Sequence, residues 1–325
     1  MKPMITVLAS LFLACLSQNA LASQVFLFPY FDSNGENGVY LAWSADGRQF
    51  HAVNHARPIF VPPAWRGQAL TRDPSIVYGA GKYHMVWTSN WGGNCLGYAW
   101  SPDLVTWSAP RRIEPFPEGA EQPKNVWAPE LLVDQVAGDF KIIWSSTLPS
   151  ELADQDGSED THGNDHRIYY LATKDFESFT EPKLAYQDEN YSVIDAQVTW
   201  DADHQQWLMA LKPEVPPERD GKNIRLAVSP KEIKPESFGG TTPPVVGPGA
   251  SVSGKDWAEG PSLVHHNNQW LLYWDTYGSG RYSLATSTYL KTWHDETDQL
   301  RMPTRHPRHG TVFLADPATV GWDLK

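Results

Sequence analysis

Five polar residues with the capacity for chemistry stand where apolar runs begin. They are Asp73 in Arg72-Asp73-Pro74-Ser75-Ile76, Glu130 in Trp127-Ala128-Pro129-Glu130, Asp195 in Ile194-Asp195-Ala196, Glu259 in Glu259-Gly260-Pro261, and His309 in Arg308-His309-Gly310. A carboxylate beside proline does not lie mid-helix, because proline lacks an amide donor and clashes with the preceding turn. Each segment therefore reads as the mouth of a strand. If the five converge, several carboxylates share one cavity, and their repulsion raises at least one pKa while others stay ionised. One protonated acid beside one ionised partner is what cleavage of a glycosidic bond requires.

Convergence depends on the elements that carry these residues, and those repeat. The segments recur at intervals of roughly 50 to 65 residues, within the range of propeller blades. A second pattern alternates with the first: Tyr98-Ala99-Trp100-Ser101 runs into Pro102-Asp103-Leu104-Val105-Thr106-Trp107, and Leu284-Ala285-Thr286-Ser287 into Leu290-Lys291-Thr292-Trp293. Between the two lies a further strand after a polar hairpin, as in Gly79-Ala80-Gly81 before Tyr83-His84-Met85-Val86-Trp87 and His266-Asn267-Asn268 before Trp270-Leu271-Leu272-Tyr273-Trp274. No amphipathic helix of ordinary length competes.

The first copy of the second pattern (residues 44–50) has no first-pattern partner before it, and the last copy of the first (residues 308–313) has none of the second after it. One incomplete blade at each end makes a whole one when the chain closes into a ring. The expected fold is all-β: a five-bladed β-propeller, residues 23–325, closed by N-terminal strands pairing with the C-terminal blade, with no open sheet edge. The innermost strands then bring Asp73, Glu130, Asp195, Glu259 and His309 to one end of the central channel.

Composition narrows the partners. The 325 residues are 41% hydrophobic, with 15 Trp, and carry a formal charge of −12. That charge argues against nucleic acid or an anionic membrane surface and fits a neutral ligand. Lys2, the apolar run of residues 5–16 and Ala20-Leu21-Ala22 read as a signal peptide over residues 1–22, cleaved near Ser23. The expectation is a secreted or periplasmic protein, free of the membrane after cleavage; lipidation of Cys15 is a weaker alternative. Cys95 is then the one mature thiol, and no intramolecular disulfide forms. The acidic loop 150–165, with Asp154, Asp156 and Asp160, lacks EF-hand spacing and reads as a solvated loop. A Cys-x-x-Cys metal cluster, a Gly-x-Ser-x-Gly elbow and Gly-Lys-Ser/Thr phosphate loops are absent. The sequence sets no oligomeric state.

These motifs, one per blade and in order, together with Ser-x-Asp-Leu-x-x-Trp at residues 101–107, resemble glycoside hydrolase family 43 over nearly the whole mature chain. The resemblance implies an inverting hydrolase: Asp73 as general base on water, Glu259 as general acid, and Asp195 tuning the acid's pKa and orientation. Inversion leaves room for a water, which places the Asp73 and Glu259 carboxyls about 6.5–9.5 Å apart. Glu130 stands where the family often has Asp, and is assigned to substrate binding or hub structure. His309 matches a central histidine that the family often uses near a bound cation or the sugar. No cofactor is required, and a structural Ca2+ or other cation at the hub is a candidate. Arg72 and Arg308 are candidate donors to sugar hydroxyls or neutralise the acidic hub; Trp91 and Trp127 are candidate stacking surfaces.

The range of activities so implied is exo-action on furanose or pentose residues of plant or microbial oligo- or polysaccharides. α-L-Arabinofuranosidase is the first choice, with β-xylosidase, β-galactofuranosidase and agar-oligosaccharide hydrolase behind it. A sugar-binding propeller without catalysis is the alternative from another class.

Overall fold

The computed structural model describes residues 24–64, 68–153, 158–303 and 306–324. The leader pattern, with Cys15 and the junction after Ala22, lies outside the described residues, as do Asp154 and Asp156 of the acidic loop.

Aromatic and β-branched runs separated by tight turns form five sheets, each an antiparallel meander. The chain begins with β1 (Val25–Tyr30), β2 (Tyr40–Ser44) and β3 (His51–Ala52). Blade 1 follows as β4 (Arg72–Gly79), β5 (Lys82–Thr88), β6 (Leu96–Ser101) and β7 (Arg111–Ile113). Blade 2 is β8 (Trp127–Asp134), β9 (Asp139–Ser146), β10 (Arg167–Thr173) and β11 (Lys183–Tyr186). Blade 3 has β12 (Val193–Asp201), β13 (Gln206–Pro213) and β14 (Arg225–Ser229); its outer edge bonds instead to the chain near Thr242 and Val245. Blade 4 is β15 (Glu259–His266), β16 (Gln269–Thr276), β17 (Arg281–Ser287) and β18 (His294–Asp295).

The last strand, β19 (Phe313–Ala315), pairs with β1 through Val25↔Ala315, Phe26↔Leu314 and Leu27↔Phe313. Blade 5 thus runs β19-β1-β2-β3 and joins the two ends of the chain. This is the closure that the unmatched half-repeats required. The hairpins use left-handed residues where the sequence offers them: Ala80 and Gly81 at φ 50° and 80°, Asn267 and Asn268 at 51° and 60°. Two such residues suit the right-handed twist of the flanking strands.

The core lies between blades. One apolar cluster joins blades 5 and 1, with Leu27, Leu41, Ile76, Met85 and Trp87; four more follow around the ring, the last joining blades 4 and 5 through Phe28, Leu271 and Tyr273. Five apolar seams hold the innermost strands at fixed angles to the axis.

Candidate active site

Every inner strand of blades 1 to 4 carries the same irregularity at its channel-mouth end. Pairing skips from Arg72 to Ser75, Trp127 to Glu130, Ile194 to Gln197 and Glu259 to Ser262, two residues against one on the partner strand. The first skipped residue is left-handed in each case: Asp73 (φ 51°), Ala128 (47°), Asp195 (57°) and Gly260 (57°). A bulge of this kind re-aims its side chain and ends the regular ladder. Proline at the second skipped position in blades 1, 2 and 4 withholds an amide that the ladder does not use.

The five sequence markers therefore do not share one register. Asp73 and Asp195 occupy the bulge itself, Glu259 the residue before it, and Glu130 the first residue after it. Glu130 consequently does not line the pocket. It is buried in the hub, accepting hydrogen bonds from Ser75 Oγ at 2.7 Å and from Thr311 Oγ1. Burial pushes its carboxyl up to about 7 against those two donors. Of its two assignments, hub structure is the one this position fits.

A second ring position, invisible in the marker motifs, clasps each blade to the next. Thr88, Ser145, Lys212 and Asp275 are the strand partners of the residues preceding the bulges. Thr88 Oγ1 donates to Asp73 Oδ2 at 2.7 Å and accepts from the Ala128 amide at 2.8 Å. Ser145 Oγ accepts from the Asp195 amide at 3.2 Å. Lys212 Nζ reaches Glu259 Oε2 at 3.0 Å, and Asp275 Oδ2 accepts from Arg308 Nε at 2.6 Å. Each is the first polar residue after the apolar core of a second strand (Trp87-Thr88, Trp144-Ser145, Leu211-Lys212, Trp274-Asp275), which is the signal that could have found them.

The electrostatics divide the pocket in two. On one side, His309 Nδ1 lies 3.4 Å from Asp73 Oδ1 and 4.0 Å from Asp195 Oδ2. Burial opposes charge on the imidazole, but Asp195 and Asp73 outweigh it and raise His309 to about 9. For Asp73, burial is likewise outweighed, by the facing imidazolium, Arg72 and Thr88, and its pKa falls to about 2. Asp195 goes the other way: burial prevails over His309 and Lys212, and with Glu259 and Asp73 nearby its pKa rises to about 6. Its Oδ2 accepts from the Gly260 amide at 3.0 Å, which fixes it against blade 4.

On the other side, Glu259 sits between two cations. Lys212 Nζ holds Oε2, and Arg308 Nη2 holds Oε1 at 2.7 Å. Burial would raise its pKa, yet Lys212 and Arg308 carry it below the usual carboxylate range. Lys212 is itself fully buried and also meets Glu214 Oε2 at 2.6 Å. Burial and the neighbouring Glu259 raise Asp275 to about 7 despite its bond to Arg308.

Around these groups lies a cavity of about 360 Å³, holding Asp73, Asp195, Glu259, His309, Arg72 and Arg308 together with Lys212, Glu214 and Tyr277. Trp91 and Trp127 form one wall, edge to face at 5.8 Å, with Trp127 Nε1 donating to the Trp91 carbonyl at 2.8 Å. Arg72 stacks over Trp91 at 4.3 Å. Asp160 and His162 add a second wall; Asp160 accepts from the His162 and Asn164 amides, the geometry of a self-bonded loop. A larger cavity of about 560 Å³ opens at the opposite end of the channel, lined by Ile76, Leu131, Val198 and Leu263, and carries none of the catalytic candidates.

A hub cation finds a poor set of ligands here. Among the described residues no group of three or more His, Cys, Asp or Glu side chains is placed to hold a metal ion. His309, protonated between two carboxylates, itself supplies positive charge to the hub.

A family model described as a probable glycosyl hydrolase domain matches residues 22–316. Among solved structures, the chain is similar to the GH43 BlXynB protein of Bacillus licheniformis (20% identity, TM-score 0.51, covering 69% of this chain and 41% of that one). It is also similar to an α-L-arabinofuranosidase of Lactobacillus brevis (18%, TM-score 0.50, 73% of each chain). A third is the catalytic domain of a GH62 α-L-arabinofuranosidase of Coprinopsis cinerea (18%, TM-score 0.51, 73% and 71%). The chain spans about two fifths of the length of the Bacillus protein. At these identities the likeness is one of fold. No curated protein matches.

Proposed function

The chain belongs to the glycosyl hydrolase family whose model matches residues 22–316, and from that premise we propose a secreted, inverting, exo-acting enzyme on furanose or pentose residues, with α-L-arabinofuranoside as its first substrate. The observation that carries the mechanism is the split in protonation between Asp73, held ionised near 2, and Asp195, raised to about 6, within one pocket. Asp73 is the base. Oriented by Thr88 and His309, its carboxylate takes the proton of a water attacking the anomeric carbon. Glu259 gives a proton to the leaving oxygen, and Asp195 tunes it through the Gly260 amide.

Lys212 and Arg308 hold Glu259 ionised in this geometry, so as the acid it gains its proton in the substrate complex, where sugar hydroxyls compete for those two cations. A second reading makes Asp195 the acid; the raised Asp195 and the lowered Glu259 favour it. The walls supplied by Trp91, Trp127 and the loop of Asp160 and His162 support a pocket for a terminal sugar, hence exo-action. The leader pattern of residues 1–22 supports export, which sequencing the N-terminus of the exported protein tests.

The test of function is hydrolysis of 4-nitrophenyl arabinofuranoside, xyloside, galactofuranoside and arabinopyranoside by the parent and by Asp73→Asn. Turnover of arabinofuranoside, abolished by Asp73→Asn, is the expected result. Undiminished activity in Asp73→Asn removes the base. Turnover of another glycoside alone reassigns the sugar.

A further inference from the structure

The wall around the pocket is uneven. Beside the mouth stands the loop joining the second and third strands of each blade: residues 31–39 in blade 5, 89–95 in blade 1, the described residues 147–153 and 158–166 in blade 2, 214–224 in blade 3, and only 277–280 in blade 4. Each contributes to the pocket, through Asn34, Trp91, Asp160, Glu214 and Tyr277 respectively. The shortest of these loops is that of blade 4.

Beside that short loop two aromatic rings meet. Tyr277 lines the pocket, with the Lys212 ammonium 4.8 Å over its ring. Trp257, from the segment leading into β15, lies against Tyr277 at 5.7 Å with the ring planes tilted by 51°, and is 43% exposed. Asp256 and Arg281, paired at 3.0 Å and themselves exposed, rim the rings with a hydroxyl acceptor and donor. On the far side of the mouth Trp91, 49% exposed, carries Arg72 over one face.

We propose that Trp257 and Tyr277 form the platform on which the leaving-group portion of an oligosaccharide stacks, so that the enzyme takes substrates with at least one further sugar beyond the bond it cleaves. The inference rests on the glycosidase reading of the pocket and deepens it. In an inverting hydrolase the acid stands by the leaving oxygen while the base and its water hold the opposite face of the sugar. Glu259 is two residues from Trp257, on blade 4; Asp73 is on blade 1. The leaving group therefore departs over blade 4, beside Tyr277 and the exposed Trp257. A flat ring flanked by one donor and one acceptor suits the apolar face and equatorial hydroxyls of a sugar.

Two measurements test this. The first is calorimetric titration of the Asp73→Asn protein with arabino-, xylo-, galacto- and agaro-oligosaccharides of two to five sugars, repeated after adding Trp257→Ala or Trp257→Phe. At least one oligosaccharide should bind, weaken at least tenfold with Trp257→Ala, and recover most of that loss with Trp257→Phe. Equal binding with Trp257→Ala, or no oligosaccharide binding at all, overturns the platform. The second compares kcat/KM for that oligosaccharide and for its 4-nitrophenyl glycoside. Trp257→Ala should depress the former at least tenfold more than the latter, and equal losses overturn the proposal. A parent inactive on aryl furanosides whose oligosaccharide binding needs Trp257 would remove the furanosidase reading and leave the platform. An active parent indifferent to Trp257→Ala would do the reverse.

Discussion

Gly260 and His309 are packed so closely that a Cβ on the glycine would lie 2.4 Å from His309 Cγ. Gly260 also holds φ at 57°, a conformation costing other L-residues about 1–2 kcal/mol. The Glu-Gly-Pro motif thus serves the histidine as much as the acid. His309 can face Asp73 and Asp195 because the neighbouring blade has no side chain in its way. Gly260→Ala should displace His309, lower stability by about 2–4 kcal/mol and reduce kcat/KM at least tenfold. Thermal melting and kinetics check both; a variant with unchanged kcat/KM would show that His309 needs no such seat.

The leaving group decides between the two acid assignments. General acid catalysis contributes about 10²–10⁴-fold, and less when the leaving group needs no proton. With Glu259 as acid, Glu259→Gln should lose that factor on a phenyl glycoside and far less on a 2,4-dinitrophenyl glycoside, while Asp195→Asn, acting only through Glu259, should show the smaller dependence on leaving group of the two. The reverse pattern makes Asp195 the acid.

The pH profile gives an independent answer. Asp73, near 2, is ionised throughout the working range and sets neither limb. kcat/KM reports the free enzyme, in which Lys212 and Arg308 lower Glu259 and Asp195 is raised to about 6. If Asp195 donates the proton, kcat/KM should fall as pH rises through about 6, and Asp195→Asn should abolish that limb. If Glu259 is the acid, the falling limb should persist in Asp195→Asn. The carboxylates of the hub titrate as a set, so the limbs belong to the group as a whole.

Glu130 is a hub strut in this geometry. Glu130→Ala leaves Ser75 and Thr311 hydroxyls without their acceptor and opens a void, costing about 2–4 kcal/mol of stability. KM for the aryl glycoside should stay within about twofold. A large KM change at unchanged stability would return Glu130 to the substrate.

His84 should make the fold acid-sensitive. Buried and stacked on Phe176 at 4.2 Å, with Nδ1 2.8 Å from Tyr98 Oη, it is lowered to about 4 by burial and by Lys82. The imidazole is neutral in both states above about 6.5; as pH falls from there to 4, the unfolded chain gains the proton first and stability is lost. The loss approaches about 3 kcal/mol. Denaturant unfolding at pH 7 and pH 4.5 should show a smaller difference for His84→Phe than for the parent.

The sequence by itself determined the ring. Five recurrences of an apolar strand opening on a polar residue, with half a repeat left over at each end, required closure of β1 on β19, because strand patterns and turn residues are local properties of the chain. The same reasoning brought Asp73, Asp195, Glu259 and His309 to one mouth. Tertiary structure decided what each of them does there. A strand alternates its faces with a period of two, and one bulged residue resets that alternation; so Asp73 and Asp195 turn into the pocket, while Glu130 is buried beneath it. Lys212 and Asp275 entered the site because each pairs, within its own blade, with the residue before the bulge and reaches across to the next blade, a relation no linear spacing records. Burial and the charges of the hub, acting over a few ångströms, leave Asp73 and Glu259 ionised and raise Asp195. Protonation follows from distances between blades, and those exist only once the ring has closed.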